Sequence, residues 1–465
     1  MKAKIDAYFS DKEALLVDAA ARLIAIPSIK AEPQPNMPFG APIAKALEEA
    51  LTLAESWGLP CTNLEGYVGV VDLNCQDTAL HILAHLDVVP PGDGWTVTAP
   101  FEAKLRDGLL HGRGANDDKG PLIAALLAMK AVQDLGVPLT KNTRLILGTD
   151  EESGFSDIDW YYARHPYAPN TFSPDASFPV TNIEKGHFKP TLEMSWQSSV
   201  LLPQATSITG SPQINVVPPK TEAVVCGLDP AETAAICKAQ EALLGVSLSL
   251  IEEEGNLTIL CTGTGTHGST PHEGNNALTA LLHLLAALPL ADSPSTRALS
   301  ALCKLFPHGQ HSGKSLGIAQ SEKLSGDLTI TLTQMQWTKT GFTARCDCRT
   351  PLSVTEENCV VPAKAAAAAM GISLTGTLTP PHHTPADSPF VQTLLRCYEQ
   401  YTGEKGQCLS TGGGTYVHGI PGGVAYGSAM PGFDSRLHGP DERMSVADLL
   451  TSAKIFTQVI IDLCS

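Results

Sequence analysis

Apolar positions recur along this chain first at the three-and-four spacing of a helix and then in short unbroken runs, and that alternation sets out its architecture. Residues 14–25 read as an amphipathic helix, opened by a capping box at Ser10-Asp-Lys-Glu13 and stopped by Pro27. A Pro-rich loop over 32–42 leads to a second helix that ends near Trp57-Gly58. Residues 67–73 and 80–86 then read as strands, Asp107-Gly108 as a hairpin turn, 119–135 as a helix and 143–148 as a buried strand. Strands and helices in turn predict an α/β domain whose mixed sheet is covered by helices.

From about Lys189 the texture changes to longer Thr/Ser-rich apolar runs at 257–261, 327–332 and 342–348, with helices opening at Pro230 and Asn275. We read 189–379 as an α+β lid domain inserted into a catalytic domain made of 1–188 and 380–465. Gly186, in Glu184-Lys-Gly-His187, and Pro380-Pro381 punctuate the two crossings. Ser445-Val-Ala-Asp448 is the expected cap of a terminal helix.

At 465 residues the chain is too long for one ordinary core. Its net charge of −17 argues against a nucleic-acid surface, which draws its affinity from clustered Lys and Arg. No apolar run reaches the length of a membrane span and no signal-peptide core opens the chain, so a cytoplasmic protein is expected. The twelve cysteines are scattered without a C-x-x-C, which favours free thiols over disulfides or a thiolate metal site.

Candidate chemistry gathers where apolar runs end. The run over 78–90 exits through His85 and Asp87, which share one side of a strand because side chains alternate. Further on come Asn116-Asp117-Asp118, Asp150-Glu151-Glu152, Pro174-Asp175 and Arg436-Leu437-His438. Taken singly, Asp117 reads as a helix cap, Glu151-Glu152 as a solvated pair and His267 as a surface-loop histidine. Together, acids buried side by side call for a neutralising divalent cation, and a His/Asp/Glu set without Cys suits Zn²⁺ or Mn²⁺.

These motifs, with His267-Gly-Ser-Thr-Pro, Asn215-Val-Val-Pro and Gly412-Gly-Gly-Thr-Tyr416, resemble in their joint order the metallopeptidase family of aminoacylase, carnosinase, carboxypeptidase G and succinyl-diaminopimelate desuccinylase. The likeness is strongest to its peptidase V-type dipeptidases and covers essentially the whole chain. It implies a zinc-exopeptidase-like catalytic domain holding two divalent cations, Zn²⁺ foremost, with Mn²⁺ or Co²⁺ as alternatives. Asp117 would bridge them, His85 and Asp175 completing one site and Glu152 and His438 the other, with a cis peptide at Asp117-Asp118. Glu151 would be the general base, Asp87 would hold the far nitrogen of His85, and His267 would donate to the oxyanion. Asn215 and Arg349 would hold the substrate's terminal carboxylate, Arg349 as a bidentate fork. Gly412, Gly413, Gly414 and Thr415 would either offer backbone N–H groups to that carboxylate or form a tight turn. The resemblance implies an enzyme acting on unblocked dipeptides, and an inserted span from about Lys189 to Leu378, long enough for two α+β halves, leads us to expect a monomer whose own His267 serves its metals. An N-acyl amino acid or acyl-diamine amidohydrolase with the same metals remains an alternative, as does a two-lobed peptide-binding protein, although no metal ligand is missing.

Overall fold

The computed structural model describes residues 1–253 and 255–465. It separates the chain into two compact units, Met1–Ile183 with His383–Leu409 and Gly414–Ser465, and Glu184–His382 with Ser410–Gly413. These boundaries lie a few residues from those expected at 188/189 and 379/380, and four residues from the glycine-rich stretch join the second unit.

The first unit is built on a mixed sheet. In spatial order its strands run Cys61–Leu64, Val68–Asp72, Asn142–Gly148, Thr78–His85, Asn170–Ser173, Val424–Ala425 and Val180–Glu184. Thr78–His85 lies parallel to both Asn142–Gly148 and Asn170–Ser173, and is buried from its second residue onward. Burial on both faces is why this strand is almost uniformly apolar rather than alternating. The covering helix Lys119–Asp134 is likewise apolar nearly all round, because it is enclosed between the sheet and neighbouring helices, including Val446–Cys464. Ser445 caps that last helix, its hydroxyl accepting from the Asp448 N–H at 3.2 Å. The Asp107-Gly108 hairpin joins Lys104–Arg106 to Leu109–His111, both turn residues having positive φ as a two-residue turn requires.

The expected capping box at Ser10 is not formed. A helix Lys2–Phe9 precedes it, and Ser10 closes that helix by donating its hydroxyl to Ala7 O at 2.7 Å. The next helix starts at Glu13 without a side-chain cap. The Ser-x-x-Glu pattern could not reveal that the preceding segment is itself helical and claims the serine.

The second unit carries an antiparallel sheet in the order Ser247–Glu253, Asn256–Thr262, Lys220–Cys226, Gln204–Thr209, Thr329–Thr338, Gly341–Thr350, Gly186–Phe188 and Leu378–Thr379. Its burial alternates cleanly in Lys220–Cys226, the signature of a sheet with one face packed. Helices Pro230–Leu244, Ala277–Ala287 and Pro294–Leu305 supply the apolar cover, with Asp229, Asn276 and Ser293 as side-chain N-caps. No described helix is long and apolar enough to cross a membrane.

Candidate functional site

In the first unit three parallel strands end at one edge, and each delivers acid or imidazole there. His85 is the last residue of Thr78–His85, Glu151 and Glu152 open a short turn after Asn142–Gly148, and Asp175 follows Asn170–Ser173. The carboxyl edge of parallel strands is where α/β sheets place ligand sites. Asp117, on the loop before helix Lys119–Asp134, completes the cluster together with His438 from the loop after Phe433.

Two groups of metal-ligand atoms form, His85/Asp117/Asp175 and Asp117/Glu152/His438, the atoms of each lying within 4.8 Å of one another. Asp117 divides its oxygens between them. Its Oδ1 is 2.9 Å from His85 Nε2 and its Oδ2 is 2.8 Å from His438 Nε2. Asp175 stands 3.6 Å from the same His85 nitrogen, and Glu152 3.5 Å from that of His438. Glu151 belongs to neither group. The Asp117-Asp118 peptide is cis.

The electrostatics show what this cluster lacks. Burial, and then repulsion from Asp175 and Asp117, pushes the Asp118 carboxyl well above its usual range despite His85. Burial likewise raises Glu151 well above the carboxylate range, with Asp175, Glu152 and Asp117 adding to it against the pull of His85. Glu152 is pushed up to about 7 by burial and by Asp117. Asp117 is lowered instead, because hydrogen bonds from His438 and His85 outweigh its burial. Asp118 Oδ1 is buried without a hydrogen-bond partner. A concentration of acid this deep, with imidazole nitrogens converging on a shared carboxylate, has the donor chemistry that divalent cations satisfy.

A buried frame holds the ligands. Glu442 accepts from the main-chain N–H groups of Gly114, Asn116 and Asp117 at 2.9–3.2 Å and from Arg113 Nη1 at 2.5 Å. Arg113 Nη2 reaches over to the carbonyls of His438 and Gly439 at 3.1 and 3.2 Å. This one ion pair therefore ties the Asp117 loop to the His438 loop. The His438 loop needs the tie, since Arg436, His438 and Asp441 all have positive φ, a conformation non-glycine residues rarely hold without support. Asp157, buried beneath the acidic turn, accepts from the N–H groups of Thr149 and Asp150 and from Tyr416 Oη at 2.5 Å. None of Arg113, Asp157 and Glu442 stands out in the sequence except by its closeness to a motif, and Tyr416 only as that motif's last letter.

Asp87 serves both His85 and the acidic turn, its carboxylate standing beside the far nitrogen of His85. His85 Nδ1 lies 3.0 Å from the Asp87 main-chain carbonyl and 3.5 Å from its carboxylate. The carboxylate also accepts from the N–H groups of Glu151 and Glu152, at 3.1 and 3.0 Å. The carbonyl thus holds His85 Nδ1–H, leaving Nε2 as the ligand nitrogen, while the side chain positions both glutamates.

In the second unit a different set comes together. Gly268 N–H donates to Asn215 O at 2.6 Å, and Val216 bridges His267 in antiparallel fashion, so Asn215 and His267 are neighbours. Arg349 gives Nε and Nη2 to the Asp347 carboxylate at 2.9 and 2.8 Å, and Nη1 to Gly412 O. Three of the five guanidinium N–H donors are thus engaged, the Nε/Nη2 edge meeting Asp347. Gly412 packs so tightly that a Cβ there would meet Ser269 Cβ at 2.6 Å. Gly413 N–H goes to Thr411 Oγ1 at 3.1 Å, while Gly414 and Thr415 lie in the first unit, where Thr415 caps the short helix Tyr416–Gly419.

Residues 81–462 match the model of peptidase family M20/M25/M40. The chain is 34% identical over 431 residues to a Bacillus subtilis protein named "Putative dipeptidase YtjP", with 92% of each chain covered. It is 31% identical over 470 residues to the Beta-Ala-Xaa dipeptidase of Lactobacillus delbrueckii subsp. lactis, covering 97% of this chain and 96% of that one. Human carnosine dipeptidase 1 has the same fold at 14% identity, with a TM-score of 0.57 over 100% of this chain and 99% of that one. The breadth of these matches, over a chain that presents two acid and imidazole ligand groups at the edge of its parallel strands, makes it a member of peptidase family M20/M25/M40 and a metallopeptidase.

Proposed function

We propose that this chain is a dipeptidase that hydrolyses unblocked dipeptides with two divalent cations, Zn²⁺ foremost. The observation that carries the reading is the division of the Asp117 oxygens between two ligand groups, with Glu151 beside both and a member of neither. The names of the two curated relatives support the substrate class. His85 and Asp175 would hold one cation and Glu152 and His438 the other, with Asp117 between them. When bound, such a pair polarises the scissile carbonyl and lowers the pKa of water.

The chain's own residues do the rest. Glu151 takes the proton of the attacking water and passes it to the leaving amine, a role suited to a buried carboxyl whose affinity for protons is raised. Asp87 sets the direction of Glu151 and Glu152 through their N–H groups. His267 donates to the developing oxyanion, and Asn215 and Arg349 hold the terminal carboxylate, Arg349 with the donors that Asp347 and Gly412 leave over. We take the enzyme to be monomeric and cytoplasmic, the latter in keeping with its free cysteine thiols.

Assay of a dipeptide panel against N-acetyl amino acids and N-succinyl-diaminopimelate, with Zn²⁺ or Mn²⁺ added, tests the substrate. Turnover confined to the acylated compounds would replace the dipeptidase with an amidohydrolase. Mixing inactive His267→Ala with inactive Glu151→Ala tests the monomer: the mixture should stay inactive, and recovered activity would mean that subunits share sites.

A further inference from the structure

The loop carrying His267 is held by its main chain on both sides. Gly268 N–H donates to Asn215 O at 2.6 Å, Val217 N–H to Thr266 O at 3.0 Å and Thr270 N–H to His267 O at 3.0 Å. Gly268 is pressed against the Asp347 carboxylate, where a Cβ would stand 2.3 Å from Oδ2. With the backbone fixed in this way, what remains to be set is the ring of His267 and the nitrogen that carries its proton.

Ser269 sets both. Its main-chain N–H donates to His267 Nδ1 at 3.2 Å, and its hydroxyl oxygen lies 2.6 Å from the same nitrogen. A backbone amide can only donate, so Nδ1 is an acceptor, and a neutral imidazole that accepts at one nitrogen carries its hydrogen on the other. The hydroxyl, meeting a nitrogen lone pair, donates as well. We propose that Ser269 is a positioning residue that locks His267 in its Nε2–H tautomer and fixes the direction of that N–H. The consequence rests on the oxyanion role given to His267 above. In the Nε2–H form the outer nitrogen donates to developing negative charge, whereas the other neutral tautomer would point a lone pair at it. Ser269 also touches Gly412, whose carbonyl accepts from Arg349, so the imidazole and guanidinium are referenced to one rigid patch of this unit.

The test is ¹⁵N NMR of the Zn²⁺-loaded protein labelled at histidine, with the His267 signals identified by their loss in His267→Ala. At neutral pH we expect Nε2 protonated and Nδ1 unprotonated. A ring protonated mainly at Nδ1 overturns the proposal, whatever the activity. In Ser269→Ala, which keeps the backbone N–H but loses the hydroxyl, a share of Nδ1–H tautomer should appear. Its kcat should fall about tenfold, the factor that one hydrogen bond of about 1.4 kcal/mol represents, with KM within about twofold and metal content unchanged. An unaltered tautomer and kcat in that variant would equally overturn it. Should the wild-type protein cleave only acylated amino acids while His267 shows the Nε2–H form, the dipeptidase reading falls and the tautomer assignment stands.

Discussion

The two units solve the problem of placing polar groups in opposite ways. In the first, charged side chains are sunk at the carboxyl edge of a parallel sheet and held by main-chain N–H groups: Asp87 by Glu151 and Glu152, Glu442 by Gly114, Asn116 and Asp117, and Asp157 by Thr149 and Asp150. In the second, His267 is exposed on a loop, and the buried Arg349 is matched in place by the Asp347 carboxylate. The first arrangement leaves acid in excess and suits a cation. The second balances its guanidinium with a carboxylate and leaves no comparable crowd of acid around it. A carboxylate held by several amides cannot shift without losing all of them, and fixed geometry is what a metal site needs.

Four perturbations test that contrast, the strongest first. Glu151→Ala should cut kcat by at least about 10²–10⁴-fold, the usual weight of a general base, while elemental analysis finds the metal content unchanged. Metal loss in this variant would mean that Glu151 and Glu152 have exchanged roles. Glu442→Ala leaves Arg113 buried without its partner and releases the Asp117 loop. We expect a destabilisation of about 3–5 kcal/mol in denaturant unfolding and a loss of about 10–100-fold in metal affinity by competition with a chelator. Unchanged metal affinity would show that the Asp117 loop keeps its shape without Glu442.

The third perturbation is acid. His81 is buried on the strand that carries His85, and burial, then the positive charge of Arg144, lowers its pKa to about 4. An unfolded histidine binds its proton near pH 6.5, so the unfolded state takes up the proton first as pH falls. The folded protein should lose stability between about pH 6.5 and 4, by up to about 3 kcal/mol from this group, and keep it above pH 6.5. In His81→Phe the unfolding midpoint should vary less over that range, and an identical pH profile would deny the histidine its part. The mildest change is Arg349→Lys, which keeps a cation for Asp347 but gives up the guanidinium's remaining donors. KM should rise about tenfold with metal content unaltered, matching about 1.5 kcal/mol, the low end for a hydrogen bond to a charged group. A fall in metal content here would erase the distinction between the units.

Much of this is written locally in the chain. The apolar run before His85, the hairpin glycine at 108 and the cap at Ser445 each act within a few residues, and each is formed as the pattern predicts. Ser10 misleads because the competing helix Lys2–Phe9 lies on its other side, where the capping pattern does not look. The further partners of Asp87 and Arg349 are hidden for a related reason: residue type shows that each can make charged hydrogen bonds, and only folding decides which groups surround it.

By itself, then, the sequence determined the order of strands and helices, the residue types able to bind a cation and the family to which the chain belongs, because these depend on periodicity and on motifs a few residues long. Tertiary structure alone decided that Asp117 splits its oxygens between His85 and His438, residues 32 and 321 positions away. It also decided that Glu442 is the acid beneath the Asp117 loop, and that the Asp347 carboxylate meets one edge of the Arg349 guanidinium. Such pairings follow from which strand ends and loops meet at one edge of a sheet. Nothing in the local chain encodes that meeting, since it is set by how the whole core packs.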